Sequence, residues 1–531
     1  MSESFAPTAV ARTLSRSPSR QRRAERLISP FGSLVDALLD PARRERTMAA
    51  LLVGYALVWS LYGALAKGSQ DIHFDMGEMF AWSQEPSLGT PKHPPLGAWV
   101  VGLWFMVMPR TDWTYYLLAM MMPTLALWIV WRLSADYLDV EKRVAGVAVL
   151  TLIPFMNFHA LKYNANTILI PLWAATTFWF LRSFETRHAV WAALAGAAAA
   201  GAMLGKYWSA CLIAGFAVAA LVDSRRHAYF RSPAPLVSIG IGLILLAPHV
   251  IWLFAHDFGS IGYVALRQTE PFSKVLISVL HFFAGFAAYM APALIGALLV
   301  ARPGRQALAD MLLPSSLQRR LVNLVFFAPL LLAAVAALAL RVEITALWMM
   351  PAATLLPVVL FSSPSVAVPR KALAWLLATA IAFPLIMIVA APGIAMAIHR
   401  KGLQAHADHY KLLAQAVENS WRTRSDKPLA ILGGDFELVN GALFYLHERA
   451  TAYVMVAPAL SPWIDEARIA REGIALACPE ESCPCVEALK TRSARAGVEP
   501  TEITLMRKYL GVSGRSARYV ISIIPPRSTT E

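Results

Sequence analysis

Apolar runs of about 15 to 26 residues recur from Leu51 to Ile398, and about 20 apolar residues suffice to cross the hydrocarbon core of a bilayer as a helix. No other feature constrains the fold as tightly. Inside hydrocarbon every backbone N–H and C=O must find a partner within the chain, so only helices or a closed barrel can cross. A barrel would alternate apolar and polar residues over short segments, and these runs do not alternate. Composition agrees: 57% of residues are apolar and only 15% charged, with a mean hydropathy of +0.51. A soluble chain carries about a quarter charged residues. A soluble globular enzyme, a disordered protein and a single-anchor protein are excluded. The chain reads as a polytopic helical membrane protein.

The net charge of +14 invites a nucleic-acid partner, but its placement points to topology. Nine arginines and five acids fall in residues 1–47, and much of the other positive charge sits in short connections between apolar runs. Lys- and Arg-rich connections stay on the cytoplasmic side, so Arg182–Arg187, Arg225–Arg231, Arg302–Arg320 and Arg370–Lys371 mark that face, and no nucleic acid is implied. The stretch holding Arg12, Arg16, Arg20, Arg22, Arg23 and Arg26 lacks the apolar core of a cleaved signal peptide and reads as a cytoplasmic tail.

Three regions separate by composition: a basic disordered tail (1–47), a membrane domain (48–398) and a soluble domain (399–531). Candidate spans cover 48–66, 114–131, 144–160, 166–181, 189–204, 207–222, 235–255, 275–300, 321–340, 344–361 and 372–398. If 96–109 also crossed, His93 and Asn164 would lie on opposite sides, so that short stretch is read as a broken or re-entrant helix. The outer loops then hold 67–95, 161–165, Gly205–Lys206, 256–274 and 341–343, and the last span leaves 399–531 on the same outer side. Strand-like runs at Leu429–Leu432 and Tyr519–Ile524, with the turn Gly433-Gly434-Asp435, predict an α/β fold for that domain. Trp421, Tyr445 and Trp463 are its candidates for stacking on sugars. Cys478, Cys483 and Cys485 form C-x4-C-P-C. That spacing suits one disulfide with one thiol left over in an oxidising compartment. A zinc site would need a fourth ligand, and His447 is distant in sequence.

The most polar interruption in the first half of the membrane domain is the first outer loop, DIHFDMGEMFAWSQEPSLGTPKHPPLGAW. It holds Asp71, His73, Asp75, Glu78, Glu85, Lys92 and His93 within 23 positions, more decoration than a connection requires. Carboxylates at a membrane surface can act as general base or bind a metal, while Lys and His can hold a phosphate. Asp75 and Glu78 are three apart, so on a helix they share a face with Met79 and Trp82, predicting an amphipathic helix on the membrane. Pro94-Pro95 ends the loop at a fixed point. Lys162 and Lys206 sit at outer helix ends, where a charge in an apolar domain needs a task or a partner.

The acid of this loop, its aromatic segment at Trp82-Ser83 and the closing Lys92-His93-Pro94-Pro95-Leu96 resemble the dolichyl-phosphate-mannose:protein mannosyltransferase superfamily. Its bacterial relatives include the aminoarabinose lipid A transferases and rhizobial galacturonosyl transferases, all GT-C membrane glycosyltransferases. Lys162-Tyr163-Asn164-Ala165-Asn166-Thr167, Leu204-Gly205-Lys206-Tyr207 and Pro248-His249-Val250-Ile251-Trp252 extend the resemblance, which covers residues 48–300 best. Two departures stand out: Met76 replaces the usual Glu after Asp75, and Asn164 and Asn166 stand where relatives carry Asp.

The resemblance implies an all-α, GT-C type membrane domain of about 11–13 transmembrane helices with a C-terminal soluble α/β domain. It also implies residence in the bacterial inner membrane with residues 399–531 periplasmic. The donor would be a polyprenyl-phosphate sugar, and the acceptor lipid A, lipopolysaccharide or another envelope glycolipid. Asp75 would be the base, with Glu78 as second acid, and Lys92, His93, Lys162 and Lys206 would cradle the donor phosphate. Asp71, Asn164, Asn166, Tyr207, His249 and Arg341, with Glu343, are candidate substrate contacts, and a divalent metal ion is a possible cofactor with no specified ligands. Two other readings stay open: a lipid or sugar transporter or flippase, and an inactive relative serving as an assembly subunit. Transporters place polar groups at mid-membrane, often in repeated halves. Here the polar groups gather at one rim and no repeat is visible.

Overall fold

The computed structural model describes residues 31–260, 262, 270–403 and 406–527. Arg12 to Arg26, and 263–269 of the expected outer loop 256–274, lie outside the described residues. The membrane domain contains α1 (Arg44–Ala66), α2 (Phe74–Ser83), α3 (Leu96–Val107), α4 (Asp112–Leu133), α5 (Val140–Leu150), α6 (Leu169–Thr186) and α7 (Ala189–Gly205). It continues through α8 (Ala210–Val222), α9 (Ala234–Ala255), α10 (Phe272–Ala301), α11 (Leu317–Leu340), α12 (Leu356–Phe361) and α13 (Arg370–Lys401). Among the described residues six helices are long and apolar enough to cross a membrane: Arg44–Ala66, Asp112–Asp136, Ala234–Ala255, Phe272–Ala301, Leu317–Leu340 and Arg370–Lys401. Their exposed faces are apolar, as at Leu243, Ile251 and Leu299, which is the surface a helix shows to lipid. The chain is a multi-pass membrane protein.

Several predicted spans take a different form. The helix expected over 144–160 ends at Leu150, because Pro154 follows and starts a short 3-10 turn at Pro154–Met156. The segment 344–361 opens as a 3-10 helix, Ala346–Leu355, with Pro351 inside it, and becomes α-helical only in α12. Proline removes a backbone donor and crowds the preceding turn, which explains both departures. The tail is not disordered as far as residue 47: residues 31–39 are helical, Val35 and Leu38 are fully buried, and Asp36 pairs with Arg370.

The stretch 96–109 does not cross. α3 has only 12 residues, about 18 Å at 1.5 Å per residue. Both its flanks touch the soluble domain: Lys92 Nζ lies 5.5 Å from the Phe436 ring, while Arg110 donates to the carbonyls of Leu446 and His447. The chain therefore leaves and returns on one side, and the parity conflict disappears. On the opposite side, the Arg-rich connections meet each other. Arg182 bonds Asp136 at 2.9 Å and Arg225 bonds Glu185 at 2.7 Å.

The soluble domain holds α14 (Tyr410–Arg422), β1 (Ile431–Gly434), α15 (Phe436–Leu443), β2 (Thr451–Val454), α16 (Glu466–Glu472), β3 (Ile474–Pro479), α17 (Cys483–Arg495), β4 (Thr501–Tyr509) and β5 (Val512–Ile524). The sheet order is β2-β1-β3-β5-β4. β1 is parallel to β2 and β3, with Leu432 opposite Ala475. β5 runs antiparallel to β3 and β4. β1 and β3 are buried along their whole length, as central strands covered on both faces must be. Asp435 of the predicted turn caps α15 by accepting the N–H groups of Glu437 and Leu438. Cys478 and Cys485 form the disulfide and Cys483 is an exposed free thiol, so the cysteines are not zinc ligands. Trp421 is buried, its Nε1 donating to the Lys427 carbonyl, and no longer a candidate for stacking on a sugar.

Candidate active site

The first outer loop folds into the seam between the two domains. His73 caps α2, its Nδ1 accepting the Asp75 N–H at 3.1 Å. Because a backbone N–H can only donate, Nδ1 carries no proton there, and burial pushes the His73 pKa down to about 4. From Met76 to Ser83 every residue of α2 is buried. The helix is thus not an amphipathic helix lying on the membrane: it is clamped from above by α15 and Phe444. Phe444 packs edge-on against Phe80 at 5.1 Å and against Phe105 at 5.5 Å. Gly77 permits this. A Cβ there would stand 2.8 Å from Gly441 Cα and 2.9 Å from the Asn440 carbonyl.

That clamp leaves Asp75 facing the membrane domain. Asn164 Nδ2 donates to Asp75 Oδ2 at 2.9 Å, and Lys162 Nζ lies 3.3 Å from the same oxygen. His73 Nδ1 is 3.9 Å away, but its lone pair is committed to the Asp75 N–H, so this is no ion pair. Burial alone would raise the Asp75 pKa. Lys162, the Asn164 hydrogen bond and Lys92 outweigh it and hold the carboxyl below its ordinary value. Its side chain is 19% exposed, enough for a ligand to reach.

Glu78, one helical turn on, behaves differently. Its side chain is 3% exposed and bonds Lys92 Nζ at 2.8 Å. Burial raises its pKa to about 7 against the pull of Lys92. The two acids share a helix face as expected, yet one is an accessible carboxylate and the other a sealed partner of a lysine. His93 is held by its backbone, exchanging hydrogen bonds with Thr90, and its ring sits edge-on to Trp82 at 5.8 Å.

Hydrogen bonds continue from Asp75 along the membrane helices. Asn164 Oδ1 accepts the N–H groups of Asn166 and Thr167, and Asn166 Oδ1 accepts from Lys206 Nζ at 2.7 Å. Lys206 also lies 4.9 Å above the Trp348 ring. Beside it, the Tyr207 hydroxyl meets His249 Nε2 at 2.9 Å and Ser260 Oγ at 3.0 Å. His249 Nδ1 must donate to the Leu88 carbonyl, 2.7 Å away, so Nε2 is the acceptor for Tyr207. This bond ties the first loop to α9. Gly89 crosses so flat against Trp252 that a Cβ would fall inside the indole ring.

Three expected site residues are placed elsewhere. Asp71 is 3% exposed, pairs with Arg507 and accepts the Lys411 N–H at 3.0 Å, so it joins domains and is not a substrate contact. A register shift between Met506 and Lys508 frees Arg507 from the ladder and aims it there. Arg341 is an exposed left-handed helix cap whose carbonyl accepts from Glu270, and Glu343 pairs with Lys274 at 3.2 Å. Neither is brought to Asp75. Tyr445 also serves the seam, its hydroxyl donating to Asp112 and accepting the Ile72 N–H. Conversely, no sequence pattern points to Phe436 beneath Lys92, or to Glu437, whose pKa is raised by burial, by Asp435 and by Asp75. Among the described residues no three His, Cys, Asp or Glu side chains converge on a metal position.

Residues 92–252 match the family model of the dolichyl-phosphate-mannose-protein mannosyltransferases. The matched stretch carries Lys92, Lys162, Asn164, Asn166, Lys206, Tyr207 and His249. No curated protein matches the sequence. Among solved structures, that of ArnT from Cupriavidus metallidurans bound to undecaprenyl phosphate is similar with a TM-score of 0.62 at 12% identity. The match covers 89% of this chain and 97% of that one. The apo state of the same ArnT gives a TM-score of 0.59 at 10% identity with the same coverage. The chain has the GT-C fold of ArnT. In this GT-C fold the Asp75 cluster, α2 and the basic residues all lie on the side of the soluble domain.

Proposed function

We propose that the protein is a membrane glycosyltransferase that moves a monosaccharide from a polyprenyl phosphate to a hydroxyl group of an envelope lipid, lipid A or lipopolysaccharide first among them. The reaction would take place at the periplasmic face of the bacterial inner membrane. One observation carries the reading: a partly exposed, ionised Asp75 held between Lys162 and Asn164, with Lys206 linked to it through Asn164 and Asn166. The similarity to an ArnT bound to undecaprenyl phosphate supports the choice of donor.

The chemistry follows from those groups. The acceptor hydroxyl donates its hydrogen bond to Asp75 and attacks the anomeric carbon. The new C–O bond forms as the bond from that carbon to the phosphate oxygen breaks, and the electron pair leaves with the lipid phosphate. Asp75 takes the proton. A carboxylate with a lowered pKa is a weak base, so its proton transfer comes late, once the attacking oxygen has become acidic. Lys162 and Lys206 stabilise the charge that grows on the departing phosphate. Lys92, held by Glu78, adds positive potential from beneath α2. Displacement from the opposite face inverts the anomeric centre.

The test uses purified protein in lipid nanodiscs supplied with polyprenyl-phosphate sugars and envelope lipids. Transfer gives a lipid one monosaccharide heavier together with free polyprenyl phosphate, read by mass spectrometry. Movement of the sugar lipid between leaflets without a product would point to a flippase and sink the proposal.

A further inference from the structure

A second concave site lies on the far side of α2 from Asp75, and no step of the transfer uses it. It is a groove of about 660 Å³ between α2, α3 and the soluble domain. Its floor is apolar, formed by Phe80, Trp99, Gly102, Leu103 and Met106. Leu103 is 65% and Met106 81% exposed, so the floor runs straight into the exposed apolar surface of the membrane domain. The rim nearest the soluble domain carries Arg110, His447 and Arg449. Among the described residues lining the groove there is no carboxylate.

The rim is built, not incidental. Glu418 is 4% exposed. Its two oxygens take the His447 N–H at 2.5 Å and meet His447 Nδ1 at 2.7 Å. A buried carboxylate thus fixes an imidazole whose side chain is 73% exposed, leaving Nε2 turned outward. Arg110 is anchored on the carbonyls of Leu446 and His447, and Arg449 reaches the Gln84 carbonyl at 3.4 Å. Arg110 and Arg449 outnumber the carboxylate behind them, Glu418, whose charge also acts on Arg110, so the rim carries net positive charge.

We propose that this groove binds an anionic phospholipid of the surrounding bilayer, with its phosphate between Arg110, Arg449 and His447 and an acyl chain along Leu103 and Met106. Guanidinium groups suit phosphate oxygens by charge and by their paired donors. The depth is right: the rim sits against the soluble domain and the floor belongs to α2 and α3, the latter leaving and returning on one side. A bound lipid would pin the soluble domain to the membrane directly behind α2. The inference does not depend on the transferase reading, since it concerns binding alone.

The test is photolabelling of the full-length protein in nanodiscs with two lipids bearing a diazirine on the acyl chain, one phosphatidylglycerol and one phosphatidylcholine. Peptide mapping is expected to find phosphatidylglycerol labels on residues 96–107 at roughly ten-fold the phosphatidylcholine level. Arg449→Glu, an exposed change, should bring them down to that level, as two units of charge near the surface dictate. Gly102→Val, which fills the floor beside Ser83, should lower labelling by both lipids, with gel filtration confirming a folded protein. Equal labelling by the two headgroups, or phosphatidylglycerol labelling unchanged in Arg449→Glu, overturns the proposal.

Discussion

Replacing Asp75 with Asn separates chemistry from stability because the two effects have different sizes. The side chain keeps its shape, and its carbonyl can still accept from Asn164 Nδ2, now at 2.9 Å. What is lost is the negative charge 3.3 Å from Lys162 Nζ. That lysine is 33% exposed and Asp75 19%, so Lys162 can turn toward water. Ion pairs this open contribute about 0–1 kcal/mol, and the folded protein should lose no more than that. Loss of a general base, by contrast, costs about 10²–10⁴-fold in rate, or about 3–5 kcal/mol of barrier. The assay is initial rate of glycolipid formation in nanodiscs at matched amounts of folded protein, alongside thermal unfolding. The expected result is an unchanged unfolding midpoint within a few degrees and a rate at least about 100-fold lower. A variant that unfolds normally and transfers sugar within about ten-fold of wild type would refute the assignment. Attention would then move to Glu437, whose carboxyl lies within electrostatic reach of Asp75.

Other predictions concern the seam around α2. Glu78 has a folded pKa of about 7 against an ordinary 4.5, so the folded state holds its proton more tightly than the unfolded chain. The resulting stability is fully present below about pH 4.5 and fades as pH rises through about 7, by up to about 3 kcal/mol. Glu78→Gln should therefore gain on wild type in denaturant unfolding between pH 5 and pH 8, and a pH-independent difference would contradict the burial argument. Gly77→Ala places a methyl against Gly441 and Asn440 and should destabilise by about 1–3 kcal/mol. Gly54→Ala, with nothing within 4 Å, is its control, and equal unfolding midpoints for the two variants would argue against close packing of α2 on α15. Arg507→Ala strands the buried Asp71 charge at a cost of about 3–5 kcal/mol. Limited proteolysis should then release the soluble domain, and Asp71→Asn in the same background should restore part of the protection.

The apolar runs alone determined the helical membrane fold, because hydrocarbon offers the backbone no alternative partner and that constraint acts residue by residue. Local chemistry was equally legible where it acts over a few positions. Asp75 and Glu78 do share a helix face, Lys92 of the same loop pairs with Glu78, and the cysteines form one disulfide with one thiol over. Prolines were visible too, yet their consequence at 154 and 351 depended on what packed around them. Only the tertiary structure decided what each charge does. Asp71, Asp75 and Glu78 are the same chemistry within eight positions of sequence. One meets Arg507 from a β-bulge more than 400 residues away, one faces Lys162 and an opening, and one is sealed against Lys92. The pKa and role of a carboxylate follow from burial and from the charges around it. Lys92 comes from the loop itself, but the other partners come from β4 and the segment at 162–166, which no local pattern ties to the loop. The same holds for α3: its length raised the question of whether it crosses, and contacts to Phe436 and Leu446 at its two flanks answered it.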